Sequence, residues 1–174
     1  MGINLMVNKK GWLFPSLVVS MRVLFGVGWL LAGITKITEK LWFQEPGVFL
    51  STYLNSALDN PNVPLFYKEF IENIALDFVM TLNYVLPILQ IIIGAFIIIG
   101  FITIPSIFIC LFMHVNFILS GNMNVMSLVL YTSAFLLIIY RKEAYHLSID
   151  KRTTLTTLFS IKKNNIRKLP IHKS

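Results

Sequence analysis

Three ionisable side chains lie inside stretches of the chain that are otherwise apolar: Arg22, Lys36 and His114. A charged side chain at the centre of a membrane-spanning helix costs about 2.5–3.5 kcal/mol on insertion scales, so each of the three needs a partner or a function. His114 changes its charge near neutral pH and could therefore relay a proton or donate a hydrogen bond to a quinone carbonyl. Lys36 and Arg22 could attract a small anion. The structural alternatives are that both cations extend to lipid headgroups and that His114 only links two helices.

The first apolar stretch carries its polar groups on one helix face. Arg22, Gly26, Trp29, Gly33 and Lys36 follow one another at steps of three and four residues, which is the spacing of neighbours on a helix surface. The two glycines allow a second helix to approach that face closely. The spacing therefore predicts that this face, with its charges, points into the protein.

A second face of the same kind follows later in the chain. Asn83, Pro87, Gln90 and Gly94 are also three or four residues apart and share one side of a helix. The two amides either line a site or hydrogen-bond to neighbouring helices, where each bond contributes about 0.6–2 kcal/mol. Both interpretations place this face inside the protein.

These polar groups are too many for a bundle of four helices to bury each one separately. We therefore expect the groups to meet in one pocket that opens toward the outer face of the membrane. The expected walls are Trp29, Lys36, Asn83, His114 and the turn Ser120–Asn124. His114, Lys36 and Arg22 are the candidate catalytic residues of this pocket, and a quinone is its candidate ligand. The side chains expected to hold the quinone are those of Trp29, Gln90, Asn83 and Asn122.

Bound haem or metal is not expected within this chain. The single cysteine, Cys110, excludes an internal disulfide, and no Cys/His grouping has the spacing of a structural zinc or iron–sulfur site. A b-type haem needs two axial ligands, whereas His146 and His172 lie in the tail, far along the chain from His114.

The elements that must position these groups are membrane-spanning helices. The 174-residue chain is 56% hydrophobic and 13% charged, whereas a soluble domain is roughly 45–50% apolar and 25% charged. A helix needs about 20 mostly apolar residues to cross a bilayer. We therefore predict an all-α integral membrane four-helix bundle over residues 1–140 and a basic cytoplasmic tail over residues 141–174. The expected spans, separated in the longest apolar tract by a break at Gly100–Pro105, are residues 15–37, 78–100, 104–120 and 125–140.

The outer loop between the first and second spans, residues 38–77, is too long to be a plain connector. From Pro64 to Phe78 large apolar residues recur at steps of three and four, with charged residues between them. This pattern predicts an amphipathic helix that lies on the membrane or caps the bundle. The sequence of residues 46–58 predicts a second short helix, and that of residues 60–62 predicts the turn between the two helices.

The formal charge of +7 follows from a membrane orientation with both termini in the cytoplasm. In that orientation the inner segments hold eleven basic and two acidic residues, and the outer segments hold three basic and six acidic residues. Lys and Arg accumulate on the cytoplasmic side of membrane proteins, so the basic excess needs no nucleic-acid partner. We expect the tail to lie along anionic lipid headgroups of the cell membrane or to be partly disordered.

Several short motifs in this order resemble the DoxX/DoxD family of small four-helix membrane proteins. The resemblance covers about residues 12–140. Its motifs are Arg22 with Gly26, Gly33-x-x-Lys36, Gln90-x-x-x-Gly94, Ile99-Gly100-Phe-Ile-Thr103 and Leu119-Ser-Gly-Asn122.

The resemblance implies a function. The name-giving DoxD is a subunit of a thiosulfate:quinone oxidoreductase that works with a partner subunit, DoxA. Similarity to DoxD would imply that a small sulfur compound is oxidised at the outer face and that electrons pass to the membrane quinone pool. This chain departs from the family pattern at two positions, where Gln90 replaces a common glutamate and Ile104 replaces a frequent arginine. Gln90 cannot take up or release a proton, so any proton transfer that the glutamate performs would be lost or moved to His114.

Two functions from different classes are therefore expected. The first is a membrane subunit of a quinone-linked oxidoreductase in a bacterial or archaeal cell membrane, with a DoxA-like or other redox partner. The alternative is a non-catalytic scaffold that holds partner proteins through the outer loop or the basic tail. Solute transport is disfavoured because the sequence shows neither an inverted repeat nor a pair of broken helices. Whether copies of the chain form a homo-oligomer is left open.

Overall fold

The computed structural model describes residues 2–122 and 125–150, with side chains from Trp12 onward. Within those ranges all regular structure is helical and there is no strand, which confirms the predicted all-α class. The helices are α1 (Gly2–Thr38), α2 (Val48–Asp59), α3 (Leu65–Phe70), α4 (Val79–Ile99), α5 (Thr103–Leu119), α6 (Val125–Ile139) and α7 (Arg141–Ala144), with a π-helical turn at Ile71–Ala75.

Two helical segments are long and apolar enough to cross a membrane, judged by length and composition. They are Trp12–Thr38, with 27 residues, and Val79–Ile99, with 21. The other two apolar helices, α5 and α6, have 17 and 15 residues, fewer than the roughly 20 that a crossing usually needs. The four helices occupy the predicted stretches, except that α1 begins at Gly2, well before the predicted span. Helices α1, α4, α5 and α6 pack side by side in a ring.

The closest helix pair in this ring is α1 with α4, and glycines make its contact possible. A Cβ atom on Gly94 would lie 2.5 Å from the backbone nitrogen of Leu30 and 2.8 Å from the carbonyl oxygen of Gly26. A Cβ atom on Gly33 would lie 2.7 Å from the carbonyl oxygen of Pro87. The two backbones therefore touch directly, as the glycine spacing predicts, and the polar faces of α1 and α4 are turned inward.

The turn between α4 and α5 is closed by the segment that follows α6. The Oδ1 atom of Asp150 accepts a hydrogen bond from the backbone N–H of Ile102 at 2.7 Å. Its Oδ2 atom accepts from the N–H and the hydroxyl of Thr103, both at 2.8 Å, so the carboxylate caps the first turn of α5. Asp150 in turn donates its own N–H to the carbonyl of Gly100 at 2.9 Å.

The folded unit therefore extends to Asp150 rather than ending near residue 140. Ala144 is fully buried, and Ser148 and Asp150 are nearly so. Residues 141–150 thus belong to the helical ring and not to a free tail, because they supply the cap of α5. The rest of the predicted basic tail, residues 151–174, lies outside the described residues.

The outer loop has its own small core, built mainly from Trp42, Leu50, Leu54 and Ile71. The two expected helices are present, as α2 and as α3 with its π-helical turn. The second one departs from the prediction, because the π-helical turn interrupts it before Phe78.

The apolar residues of α3 and the π-helical turn lie on two adjacent rows. Tyr67, Ile71 and Ala75 form a buried row that packs on the loop core. The four phenylalanine and isoleucine residues of the other row, which the sequence pattern also placed on the apolar face, are exposed: Phe66, Phe70, Ile74 and Phe78. Only one row can face the loop core, so the other is left for a different apolar environment.

We expect Asp150→Ala to lower the stability of the purified protein. The substitution removes a side-chain cap from α5, and loss of such a cap costs about 0.5–2 kcal/mol. Thermal unfolding in detergent should therefore occur at a lower temperature than in the wild type. Glu72→Ala, which removes an exposed carboxylate from the outer loop, is the control and should leave the transition in place. Equal transitions for Asp150→Ala and the wild type would show that the cap does not contribute.

Gly94→Ala should destabilise the protein more than Gly28→Ala does, although both glycines are helical. At Gly94 the new Cβ meets backbone, and overpacking of this kind costs about 1–3 kcal/mol. At Gly28 the nearest atom would be a flexible Leu130 methyl at 3.4 Å, so the better helix propensity of alanine, worth about 1 kcal/mol, should prevail. Denaturant unfolding of both variants measures the difference, and the reverse order would contradict the close α1–α4 contact.

Candidate functional site

A cavity of about 330 Å³ lies between the four ring helices and the loop that contains α2. Five of the seven residues predicted for the site line it: Trp29, Lys36, Gln90, His114 and Asn122. They come from α1, α4, α5 and the turn after α5, so the ring brings together residues that are up to 93 positions apart in the sequence. The structure thus brings these five residues to one cavity.

Lys36 is held in the cavity wall by weak contacts. Its Nζ atom donates to the carbonyl oxygen of Ala32 at 3.2 Å and lies 5.8 Å and 5.3 Å from the ring centroids of Trp42 and Phe117. Its ammonium group has no carboxylate partner in the described part of the chain. Lys40 also lines the cavity, with its Nζ atom 5.3 Å from the centroid of Phe49. Aromatic faces attract cations but do not neutralise them, so the cavity keeps a positive character.

His114 joins α5 to α6 and has one ring nitrogen fixed by that role. Its Nε2 atom lies 2.9 Å from the carbonyl oxygen of Ser127. A carbonyl can only accept, so Nε2 must carry the hydrogen and Nδ1 of the neutral ring keeps a lone pair. The imidazole stacks on Tyr131 and meets the edge of Trp29, with centroid distances of 5.9 Å and 6.3 Å. In its neutral form His114 can therefore accept a hydrogen bond or a proton from a ligand at Nδ1. It was expected to donate a hydrogen bond to a ligand, and the neutral ring cannot do so while Nε2 is bonded to Ser127.

Three buried polar atoms of cavity-lining residues have no hydrogen-bond partner among the residues that the structure describes. They are Nε1 of Trp29, Nε1 of Trp42 and Oε1 of Gln90. Trp29 is 3% exposed and Gln90 is 1% exposed, so bulk water does not reach these atoms freely. A buried polar group left unpaired costs about 1–3 kcal/mol. The three atoms are themselves buried, so a molecule in the cavity would pair with these two donors and one acceptor only after a local rearrangement of the wall.

Arg22 does not line this cavity. It lies fourteen residues before Lys36 on α1, roughly 21 Å along the helix axis. Its guanidinium donates to the carbonyl oxygens of Ala144 at 2.6 Å and of Ile98 and Leu147, both at 3.4 Å. The predicted role of Arg22 as a catalytic residue is therefore not supported by its position. Its contacts hold residues 144–147 against the middle of α1 and the C-terminal end of α4.

Asn83 also lies outside the cavity lining, although it was expected in the wall. It is fully buried, and its Nδ2 atom donates to the carbonyl oxygen of Trp42 at 2.6 Å. Trp42 does line the cavity, so Asn83 acts on the site by holding the chain that carries Trp42. Asn124, the last residue of the predicted polar turn, lies outside the described residues.

The outer loop supplies cavity residues that sequence reasoning missed: Lys40, Trp42, Phe49 and Tyr53. Nothing in their spacing links them to the spans. The one available signal was a cluster of aromatic residues close to Gly47, in a loop that was predicted to have structure. Large aromatic residues in a structured outer loop could have been expected to cover a pocket beneath it.

Two tyrosine hydroxyls tie the outer loop to the end of α5. The Tyr53 hydroxyl hydrogen-bonds to the Ser120 hydroxyl, and the Tyr67 hydroxyl donates to the carbonyl and the side-chain oxygen of Asn116 at 3.0 Å and 3.1 Å. Burial raises the pKa of Tyr53, with an opposing effect from its bond to Ser120. Burial also raises the pKa of Tyr67 to about 12, with a further contribution from Tyr53. Both tyrosines therefore keep their hydroxyl protons in the folded state, and as neutral groups they hold the outer loop to α5.

Comparisons of this chain with protein-family models, with curated proteins and with solved structures found no match.

The protein should lose stability as the pH rises from about 10 toward 12. An unfolded tyrosine ionises near pH 10, whereas Tyr67 in the folded state holds its proton until about pH 12. The folded state therefore binds more protons than the unfolded state in this window, and its stability falls as the pH rises through it. Thermal unfolding should show a smaller decline over this range for Tyr67→Phe than for the wild type. Tyr84→Phe, at an exposed tyrosine of α4, should follow the wild type, and identical slopes for all three would refute the assignment.

Proposed function

We propose that this chain is a multi-pass membrane protein in which α1, α4, α5 and α6 all cross the bilayer, with both termini on the cytoplasmic side. All four helices expose large apolar side chains, among them Leu24, Ile88, Phe112 and Leu128. Soluble monomers rarely expose contiguous apolar patches above a few hundred Å², whereas lipid accepts such surfaces. Residues 141–150 and the start of α1 lie at the end of the ring that would face the cytoplasm. The acidic outer loop lies at the other end, as the positive-inside rule requires.

The function that the cavity supports best is that of a membrane subunit of a quinone-linked oxidoreductase. The observation that carries this proposal is the convergence of Trp29, Lys36, Gln90 and His114 on one cavity. The walls of that cavity include residues with unpaired buried polar atoms. A quinone headgroup is flat, mostly apolar and polar at two carbonyl oxygens, and it fits a cavity lined by aromatic rings with a few polar groups. The resemblance to the DoxX/DoxD family points to the same class of ligand.

The chemistry of quinone reduction assigns a task to each of these side chains. Two electrons and two protons convert the two carbonyl oxygens of a quinone to hydroxyls. The ammonium of Lys36 and the indole N–H of Trp29 can donate to carbonyl oxygens and stabilise the negative charge that develops there. The Nδ1 atom of His114 and the Oε1 atom of Gln90 can accept hydrogen bonds from the hydroxyls. His114 can also exchange a proton, which Gln90 cannot.

The proposed electron donor is a small sulfur anion such as thiosulfate, which would approach from the outer face. Lys36 and Lys40 give the cavity a positive charge, and no Asp or Glu side chain is found among the described residues that line it. An anion is therefore attracted to the same end of the ring that holds the unpaired donors. A partner subunit of the DoxA type belongs to this proposal as the second component of the enzyme.

The proposal predicts that the purified protein binds quinone and that Lys36→Met and His114→Leu weaken this binding by about tenfold each. Each substitution removes one polar contact worth about 1.4 kcal/mol, the equivalent of a factor of ten. Quinone binding can be followed through quenching of tryptophan fluorescence, because Trp29 and Trp42 line the cavity. Lys142→Met, at an exposed lysine of α7, is the control for the loss of a positive charge.

The same variants should then be assayed for thiosulfate-dependent quinone reduction, alone and with any partner that purifies with the chain. Loss of turnover in folded Lys36→Met and His114→Leu would support the oxidoreductase. The scaffold function would be favoured instead if the wild type bound no quinone and the double variant fully complemented a deletion strain.

A further inference from the structure

The cavity has a polar part and an apolar part. Lys36, Lys40 and Trp42 line the polar part next to the outer loop, and His114 lies between this part and α6, where it bonds to Ser127. The apolar part lies between α1 and α6 and is lined by Gly28, Met126 and Leu130. A polar headgroup would therefore occupy one part of the cavity, and an apolar molecule or substituent would occupy the other part.

Gly28 differs from Gly26 and Gly33 of α1 in what its missing side chain makes room for. Added Cβ atoms on Gly26 and Gly33 would meet backbone atoms of α4 at 2.9 Å and 2.7 Å, so helix packing requires both glycines. An added Cβ atom on Gly28 would meet only a Leu130 methyl, at the ordinary contact distance of 3.4 Å. Glycine in a helix costs about 1 kcal/mol relative to alanine, yet packing does not demand it here. The missing side chain at position 28 therefore leaves space in the cavity.

The apolar part of the cavity also reaches the outside of the ring. Met126 lines the cavity and is 67% exposed, so its side chain lies where the cavity meets the surface of α6. The exposed neighbours on that surface are Val125, Leu128 and Val129, all apolar. In the membrane orientation proposed above, this opening faces lipid and not water. Methionine is unbranched and flexible, so it can yield to a passing chain.

We propose that the seam between α1 and α6, formed by Gly28, Met126 and Leu130, is a binding subsite for the hydrocarbon tail of a lipid-soluble quinone and its lateral entry from the bilayer. This inference rests on the proposed quinone-linked function. The headgroup lies among the polar residues, and the tail runs outward past Gly28 and Met126. The water-soluble electron donor reaches the polar part from the outer face, so the two substrates arrive by separate routes.

The test is a comparison of two quinones on Gly28→Leu. One is a benzoquinone with a decyl tail, and the other has the same headgroup without the tail. Leucine at position 28 fills the seam, so the ratio of the dissociation constants, tailed over tailless, should rise by about tenfold. That factor corresponds to the loss of about two buried methylene groups. Leu17→Phe adds bulk at an exposed position of α1 that lies eleven residues before Gly28 and does not line the cavity, and it should leave the ratio as in the wild type.

The possible failures of the two proposals can be told apart. If the wild type binds neither quinone, the proposed function is refuted and this inference falls with it. If the wild type binds both but the ratio is unchanged in Gly28→Leu, only the tail subsite is refuted. The same holds if Gly28→Leu weakens both quinones equally. Should Gly28→Leu not fold, Met126→Trp blocks the same opening from the exposed side of α6, and the same outcomes apply to it.

Discussion

The direct contact between the backbones of α1 and α4 is the constraint on which the rest of the structure depends. Gly26 and Gly33 lie on the helix face that also carries Arg22, Trp29 and Lys36. When α4 packs against the glycines, that face has to point inward. Each polar side chain on it must then find a partner or a cavity. Arg22 meets three carbonyls at one end, and Lys36 meets aromatic rings and an open space at the other.

Helix spacing in the sequence was sufficient to predict which faces of α1 and α4 point inward, but not that these two faces pack on each other. Five of the seven residues named for the candidate site line one cavity. The spacing succeeded because the relation between Gly33 and Lys36, or between Gln90 and Gly94, is set by the geometry of one helix. It failed where partners are distant in sequence. Nothing local links Asn83 to the carbonyl of Trp42, or Asp150 to the first turn of α5. Backbone carbonyls are especially hard to predict as partners, because every residue has one.

The polar part of the cavity depends on the outer loop as much as on the ring. The loop adds Trp42 and Tyr53 to the wall, while Asn83 and Ser120 hold these residues in place from the ring. Residues around the cavity therefore carry buried donors and acceptors without hydrogen-bond partners, whereas such groups in a protein core are normally paired. The loop core and the tyrosine hydrogen bonds contribute the stability that allows this arrangement to persist.

The bonds of Arg22 have a consequence for biosynthesis. Its shortest hydrogen bond is to the carbonyl of Ala144, 122 residues further along the chain. While the ribosome translates α4, α5 and α6, Arg22 has therefore already been synthesised, whereas the carbonyl of Ala144 does not yet exist. In the proposed topology the first helix must wait near the cytoplasmic leaflet without its bonds to Ala144 and Leu147, and only the Ile98 carbonyl is available to Arg22 once α4 is complete. Closure of the ring then becomes one of the last events of assembly, and truncated nascent chains remain open at that end.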